Sequence, residues 1–100
     1  MVEWTEKGLQ TTLKDKGQFF LYLYTPMCGT CMVASKMLTV VETMNNDFSI
    51  GKMDLNYAPD LAEVYKIESV PCLLIFNDGD LKEKVYRFES VPHLLEKMSI

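Results

Sequence analysis

The run Phe19-Phe20-Leu21-Tyr22-Leu23-Tyr24, followed by Thr25-Pro26 and then Met27-Cys28-Gly29-Thr30-Cys31, constrains this chain more than any other segment. Apolar and aromatic residues in an unbroken row, with no alternating polar ones, read as a central strand buried on both faces. Pro26 closes that strand, because proline has no N–H to give to a ladder. Beyond Cys28, Ala34, Leu38 and Val41 recur at helical spacing with Met37 and Met44 alongside, which predicts a helix running to about Met44 and ended by Asn45-Asn46-Asp47. Two cysteines separated by two residues therefore stand where a strand stops and a helix starts. The first N–H groups of a helix lack partners within it and carry partial positive charge. A thiol held there loses its proton more readily, and thiolate is the reactive form. The arrangement points to dithiol–disulfide exchange.

Composition narrows the alternatives. One hundred residues make a single domain over 1–100, and a hydrophobic fraction of 48% fills a core without disulfide staples. Three cysteines, Cys28, Cys31 and Cys72, leave no complete disulfide framework. A loop as small as Cys28–Cys31 yields only about 2 kcal/mol in the chain-entropy model, so a structural role is a weak reason for the pair. Net charge is −4 with a pI near 4.9, which argues against a nucleic-acid partner and an anionic membrane. Met1-Val2-Glu3-Trp4-Thr5-Glu6-Lys7 lacks the basic segment and apolar stretch of a signal peptide, and Phe19–Tyr24 is too short to span a bilayer. A cytoplasmic address is the expectation. In a reducing cytosol such a pair is catalytic or metal-binding rather than structural. A tetrahedral zinc site needs two more ligands, for which only Cys72 and His93 remain.

The remaining segments set an order of elements. A short strand near Val2–Trp4 opens the chain, then Thr5 caps a helix carrying Leu9 and Leu13, with Gly17 at the turn out of it. Phe48 to Leu55 reads as a strand with Gly51 as its weak point. Pro59 starts a short helix with Leu61, Val64 and Tyr65. Val70-Pro71 precedes the buried strand Cys72-Leu73-Leu74-Ile75-Phe76. Asn77-Asp78-Gly79-Asp80 predicts a hairpin, so Leu81 to Phe88 returns antiparallel. Ser90 caps a last helix with Pro92 in its first turn and Val91, Leu94, Leu95 and Met98 as its stripe. Alternating strands and helices imply parallel pairing, with the hairpin adding an antiparallel edge.

With this order, Cys28-Gly29-Thr30-Cys31 after the central strand, Val70-Pro71 before the third strand and the Asn77-Asp78-Gly79 hairpin, the chain resembles the thioredoxin family over essentially its whole length. The resemblance implies an α/β thioredoxin fold, a central mixed sheet of four or five strands flanked by helices. It implies a thiol–disulfide oxidoreductase that reduces protein disulfides, with Cys28 as nucleophile and Cys31 as resolving thiol. It further implies a cis Val70–Pro71 bond against the disulfide, and substrate contacts at Met27, Gly29, Thr30, Val70 and Pro71. Val70 can then offer its backbone to a substrate chain as an added strand would. Electrons come from a thioredoxin-reductase-type flavoenzyme or a low-molecular-weight thiol, no cofactor is bound, and a monomer is expected. The alternative is a non-catalytic binding or adaptor domain of the same fold, or a redox sensor.

The chain departs from the family where Met27 and Thr30 replace the usual Trp and Pro, where Tyr22 occupies the place of a buried acid, and where Cys72 follows the proline. Tyr22 reads as a core aromatic. A phenol with a reference pKa near 10 is a poor base at neutral pH, so Cys31 is expected to deprotonate slowly. Lys52 aligns with the lysine that accompanies the family's acid and is left without that partner. Cys72 reads as a small buried hydrophobe near the redox pair. His93 is placed on the surface, Trp4 as a packing anchor, and Met37, Met44 and Met98 on buried stripes.

Overall fold

The doubly apolar run becomes the middle of a sheet. The computed structural model describes residues 1–14, 17–45 and 47–99. Its strands are β1 (Val2–Glu3), β2 (Gln18–Tyr24), β3 (Ile50–Asp54), β4 (Cys72–Asn77) and β5 (Asp80–Val85). Its helices are α1 (Glu6–Leu13), α2 (Gly29–Met44), α3 (Pro59–Val64) and α4 (Val91–Met98), with a 3-10 turn at Leu55–Tyr57. The described strands form one five-stranded sheet in the order β1-β3-β2-β4-β5. β1, β3 and β2 run parallel to one another; β4 is antiparallel to β2, and β5 antiparallel to β4.

Local chemistry explains the boundaries. Thr5 Oγ1 accepts the Gly8 N–H at 3.0 Å and starts α1, and Ser90 Oγ accepts the His93 N–H at 3.1 Å and starts α4. Asp78 and Gly79 both take positive φ, 52° and 87°, which is what a two-residue hairpin loop requires. Helix α1 stops at Lys14, and Asp15 and Lys16 lie outside the described residues. Gly17 leads directly into β2. Its N–H donates to Asp78 Oδ1 at 2.8 Å and its carbonyl accepts the Asp78 N–H at 2.9 Å, which ties the hairpin to β2. Asn45 ends α2, its N–H still donating to the Val41 carbonyl at 3.0 Å; Asn46 lies outside the described residues.

The pairing of β4 corrects the expectation of a parallel third strand. Both β3 and β4 meet β2 at its carboxyl end, Asp54 opposite Tyr24 and Cys72 opposite Leu23. The connection between them, whose six-residue helix rises roughly 9 Å, stays at that end of the sheet instead of crossing back along it. β4 therefore starts where β3 stopped and runs the other way. Strand β3 is shorter than Phe48–Leu55 because Phe48 packs edge-on to Phe20 with ring centroids 5.2 Å apart, while Asp54 accepts the Asn56 N–H at 2.9 Å and opens the 3-10 turn. β5 ends at Val85 rather than Phe88, whose ring turns edge-on to Tyr22 at 6.0 Å.

Side chains alternate across each strand, so the sheet carries two cores. Phe20, Tyr22, Leu73 and Ile75 pack with Ala34, Leu38 and Val41 of α2 and Leu94 and Met98 of α4. Phe19, Leu21, Leu23, Leu74 and Phe76 pack with Leu9 of α1 and Leu61 of α3. Val91 and Leu95 are half-buried against the first core. Two expected core residues are exposed instead: Met44 at 62% and Val64 at 69%. Met44 lies at the end of α2, beyond the last buried position, Val41. Val64 closes the short helix α3, where Leu61 takes the inward position.

Cys72 follows the same alternation. It lies in the second core, fully buried, on the face opposite Tyr22 and Ala34. Nearness along the chain to Pro71 thus does not bring its thiol to the redox pair. Burial pushes this thiol up from 9.0 to about 12, against smaller opposing effects of Lys84 and a hydrogen bond with Tyr86. Gly51 is likewise not a weak point. A Cβ there would lie 2.5 Å from Trp4 Cε2, so the missing side chain is what admits the indole, which in turn packs on Phe19 with centroids 5.5 Å apart.

Gly51→Ala should cost about 1–3 kcal/mol by urea denaturation, as overpacking of a filled site does, and the penalty should fall toward zero in a Trp4→Ala background. The folded chain holds the Cys72 proton more tightly than the unfolded chain does. Its contribution is therefore complete below pH 9 and lost as pH rises toward about 12. Urea midpoints measured across that range should decline, and Cys72→Ala should remove this part of the decline. Iodoacetamide should modify Cys72 only in denaturant.

Candidate active site

β2 ends at Tyr24, the chain passes Thr25 and Pro26, and α2 begins at Gly29, so the CxxC pair is carried on the first turn of a sixteen-residue helix. Cys28 is the N-cap residue of that helix. Its backbone is extended, and its sulfur takes the place a serine or aspartate oxygen would fill, accepting the Cys31 N–H at 3.2 Å. Thr30 Oγ1 lies 3.3 Å from the same sulfur. Cys28 and Cys31 are joined as a disulfide with Cα atoms 5.2 Å apart. Cys28 is half-buried, and Cys31 is 4% exposed against the sheet. The pair is thus asymmetric, with one sulfur reachable and the other behind it.

Tyr22 forms the floor beneath Cys31. It is 1% exposed, and its hydroxyl donates to the Cys31 carbonyl at 2.7 Å. That bond ties the first turn of α2 to the central strand. Burial pushes the phenol from 10.0 up to about 12, so it stays protonated through neutral pH and takes no proton from Cys31. Tyr24, on the same strand face, is also pushed to about 12, first by burial and then by Glu3, whose Oε1 accepts the Tyr24 hydroxyl hydrogen at 2.7 Å. Lys52 pairs with Tyr22 across β2 and β3 and holds its ammonium 5.8 Å from the centre of the Tyr24 ring. In place of the carboxylate implied by the resemblance, the lysine has an aromatic face.

The residues singled out by sequence gather around Cys28. The Val70–Pro71 peptide is cis, and the Val70 carbonyl oxygen lies 4.0 Å from Cys28 Sγ. Met27 is 96% exposed beside the pair, and Gly29 and Thr30 are exposed on the first turn. Pro71 and Thr30 share an apolar cavity of about 360 Å³ with Val33, Ala34, Tyr86 and Phe88. Tyr86 and Phe88, which follow the end of β5 at Val85, also line this cavity, and no sequence motif marks them. A second cavity, of about 310 Å³, touches both cysteines from the side of Tyr22, Tyr24, Lys36 and Lys52. Lys36, on α2, has no motif of its own in the sequence. It shares a face of α2 with Met32, four residues earlier, which lines the same cavity, and that cavity shows only in the fold. Cys72 and His93 do not join the pair. The thiol faces the opposite core, and His93 sits on α4 with Nε2 3.3 Å from Glu89 Oε2.

Comparison with known proteins agrees with the architecture and the pair. The thioredoxin family model matches residues 1–99. A thioredoxin-like protein, YusE, of Bacillus subtilis is 53% identical over 78 residues, spanning 78% of this chain and 74% of the relative. A thioredoxin of Buchnera aphidicola is 26% identical over 83 residues, 81% of this chain and 77% of the relative. Among solved structures, a mutant thioredoxin from Halobacterium salinarum superposes with a TM-score of 0.87 over 98% of this chain and 87% of the other, at 21% identity, a likeness of fold. The mixed sheet is the thioredoxin fold. With the family matched across almost the whole chain and Cys28 paired with Cys31 at the tip of α2, the chain belongs to the thioredoxin family and carries the redox-active pair of a thiol–disulfide oxidoreductase.

Proposed function

We propose that this chain acts as a single domain, and as a monomer in the cytosol, to reduce disulfide bonds in protein substrates. Cys28 is the attacking thiol and Cys31 the resolving one. The observation that carries this reading is the asymmetry of the pair. Cys28 Sγ accepts a hydrogen bond from the start of α2 and Cys28 is only half-buried, while Cys31 is buried behind it. A donor at 3.2 Å and a helix N-terminus both favour the thiolate over the thiol.

In the reduced chain, the Cys28 thiolate attacks one sulfur of a substrate disulfide. A Cys28–substrate bond forms, the substrate S–S bond breaks, and the released substrate thiolate takes up a proton. The Cys31 thiolate then attacks Cys28 Sγ. The Cys28–Cys31 bond closes, and the second substrate sulfur leaves as thiolate and is protonated. Two electrons and two protons pass to the substrate, and a flavoenzyme reductase or a small thiol restores them. The chemistry needs no bound cofactor. Met27, Gly29, Thr30, Val70 and Pro71 are the substrate side. The exposure of Met27, Gly29 and Thr30, the Val70 carbonyl beside Cys28 and the apolar cavity at Pro71 support that assignment.

Insulin reduction driven by dithiothreitol tests the reading. The wild-type chain should accelerate precipitation of the insulin chains, Cys28→Ser should be inactive, and Cys31→Ser should accumulate a mixed disulfide visible by mass spectrometry. Absence of acceleration by the wild-type chain would leave only a binding or sensing domain. Because the Tyr22 phenol holds its proton up to about 12, Tyr22→Asp should shorten the lifetime of the mixed disulfide at neutral pH, by at least about tenfold if the carboxylate acts as general base. An unchanged lifetime in a folded variant would remove Tyr22 from the account of the rate.

A further inference from the structure

Two largely apolar cavities flank the redox pair, and only one of them is lined by lysines. The one beside Pro71 is apolar. The other, about 310 Å³, is bounded by Cys28, Cys31, Tyr22, Tyr24, Lys36 and Lys52. Its volume is at the lower end of the roughly 300–1,000 Å³ typical of small-molecule sites. Lys36 is exposed at its rim, and Lys52 is half-buried against the Tyr24 ring. Among the described residues neither lysine is in an ion pair. Glu3 and Asp54 line a different cavity, which shares only Tyr24 with this one. The chain as a whole carries −4, and Tyr24 at the edge of this cavity is bonded to Glu3, so the two lysines are what set the lining beside the disulfide apart from the acidic balance of the chain.

Resting on the proposed function, we propose that this second cavity is the docking site for an anionic low-molecular-weight thiol, which reduces the Cys28–Cys31 disulfide directly. Its carboxylates lie against Lys36 and Lys52 and its sulfur reaches Cys28, the more exposed of the two cysteines that bound the cavity, Cys31 being only 4% exposed. The small thiolate attacks Cys28 Sγ. A bond forms between the two sulfurs, the Cys28–Cys31 bond breaks, and Cys31 leaves as thiolate and takes a proton from solvent. A second molecule of the thiol, again as thiolate, attacks the sulfur of the first. The small-molecule disulfide forms and Cys28 is released as thiolate. Two small thiols lose two electrons in total, and the pair gains them. The apolar cavity on the Pro71 side stays free for the protein substrate.

The test compares reduction of the oxidised chain by glutathione, a net-anionic tripeptide thiol, with reduction by neutral 2-mercaptoethanol, read from the rate of disulfide loss. The readout is the ratio of the two rate constants, each corrected for the thiolate fraction of the reagent. Charge reversal in Lys36→Glu/Lys52→Glu should lower that ratio by about fivefold, the scale of two partly exposed ion pairs. In the wild-type chain, raising salt to about 0.5 M should lower the ratio in the same direction by screening the lysines. Lys36 is exposed on α2, so Lys36→Glu alone keeps the test open if the double variant does not fold. A ratio that stays within about twofold across the variants and salts overturns the proposal, whatever happens to the absolute rates. Insulin reduction by the wild-type chain with dithiothreitol is scored separately. Its failure strikes the proposed function, whereas its success with an unmoved ratio strikes only this site.

Discussion

The reactive end of the molecule depends on one hydrogen bond, from the Cys31 N–H to Cys28 Sγ at 3.2 Å. A helix start needs an acceptor for its unpaired N–H groups, and here the acceptor is a sulfur. The same contact that lets α2 begin therefore also favours negative charge on Cys28 Sγ once the pair is reduced, the atom proposed to attack. Structure and reactivity are coupled at this point: the sulfur that caps the helix has its greatest capacity to accept as a thiolate.

That geometry is held in place by the packing of β2. The strand is covered on both faces, by Tyr22 and Phe20 against α2 and α4 and by Leu21 and Leu23 against α1 and α3. Tyr22 adds a direct tie, its hydroxyl bonded to the Cys31 carbonyl at 2.7 Å. Where the family resemblance implies an acid, this chain has a phenol that holds its proton, and the lysine left over faces an aromatic ring. The consequence is a site whose floor is aromatic and whose open side carries two cations, with no carboxylate among the described residues bounding the cavity behind the pair.

Much of this was legible from residue order. The central strand, the thiol pair at the tip of α2, the caps at Thr5 and Ser90 and the two-residue hairpin are local events, decided by neighbours within a few positions. The positions that local pattern misplaces share a different cause. Met44 and Val64 fit a helical stripe, yet each closes its helix beyond the last residue buried against the sheet. Gly51 looked like a weakness in a strand because nothing local shows that Trp4, far away in sequence, fills the space above it. Cys72 looked near the redox pair because it follows Pro71, but strand alternation turns its thiol to the other core.

That an apolar strand would deliver two cysteines to a helix start was already written in residue order, because burial of aromatic side chains and the break at Pro26 act over a handful of adjacent residues. The direction of β4, the face on which Cys72 lies, and the meeting of Lys36 with Lys52 and of Thr30 with Phe88 around the pair came only with the folded chain. Those outcomes depend on where the connection after β3 runs and on which sheet face a distant side chain reaches, and no spacing along the chain encodes either.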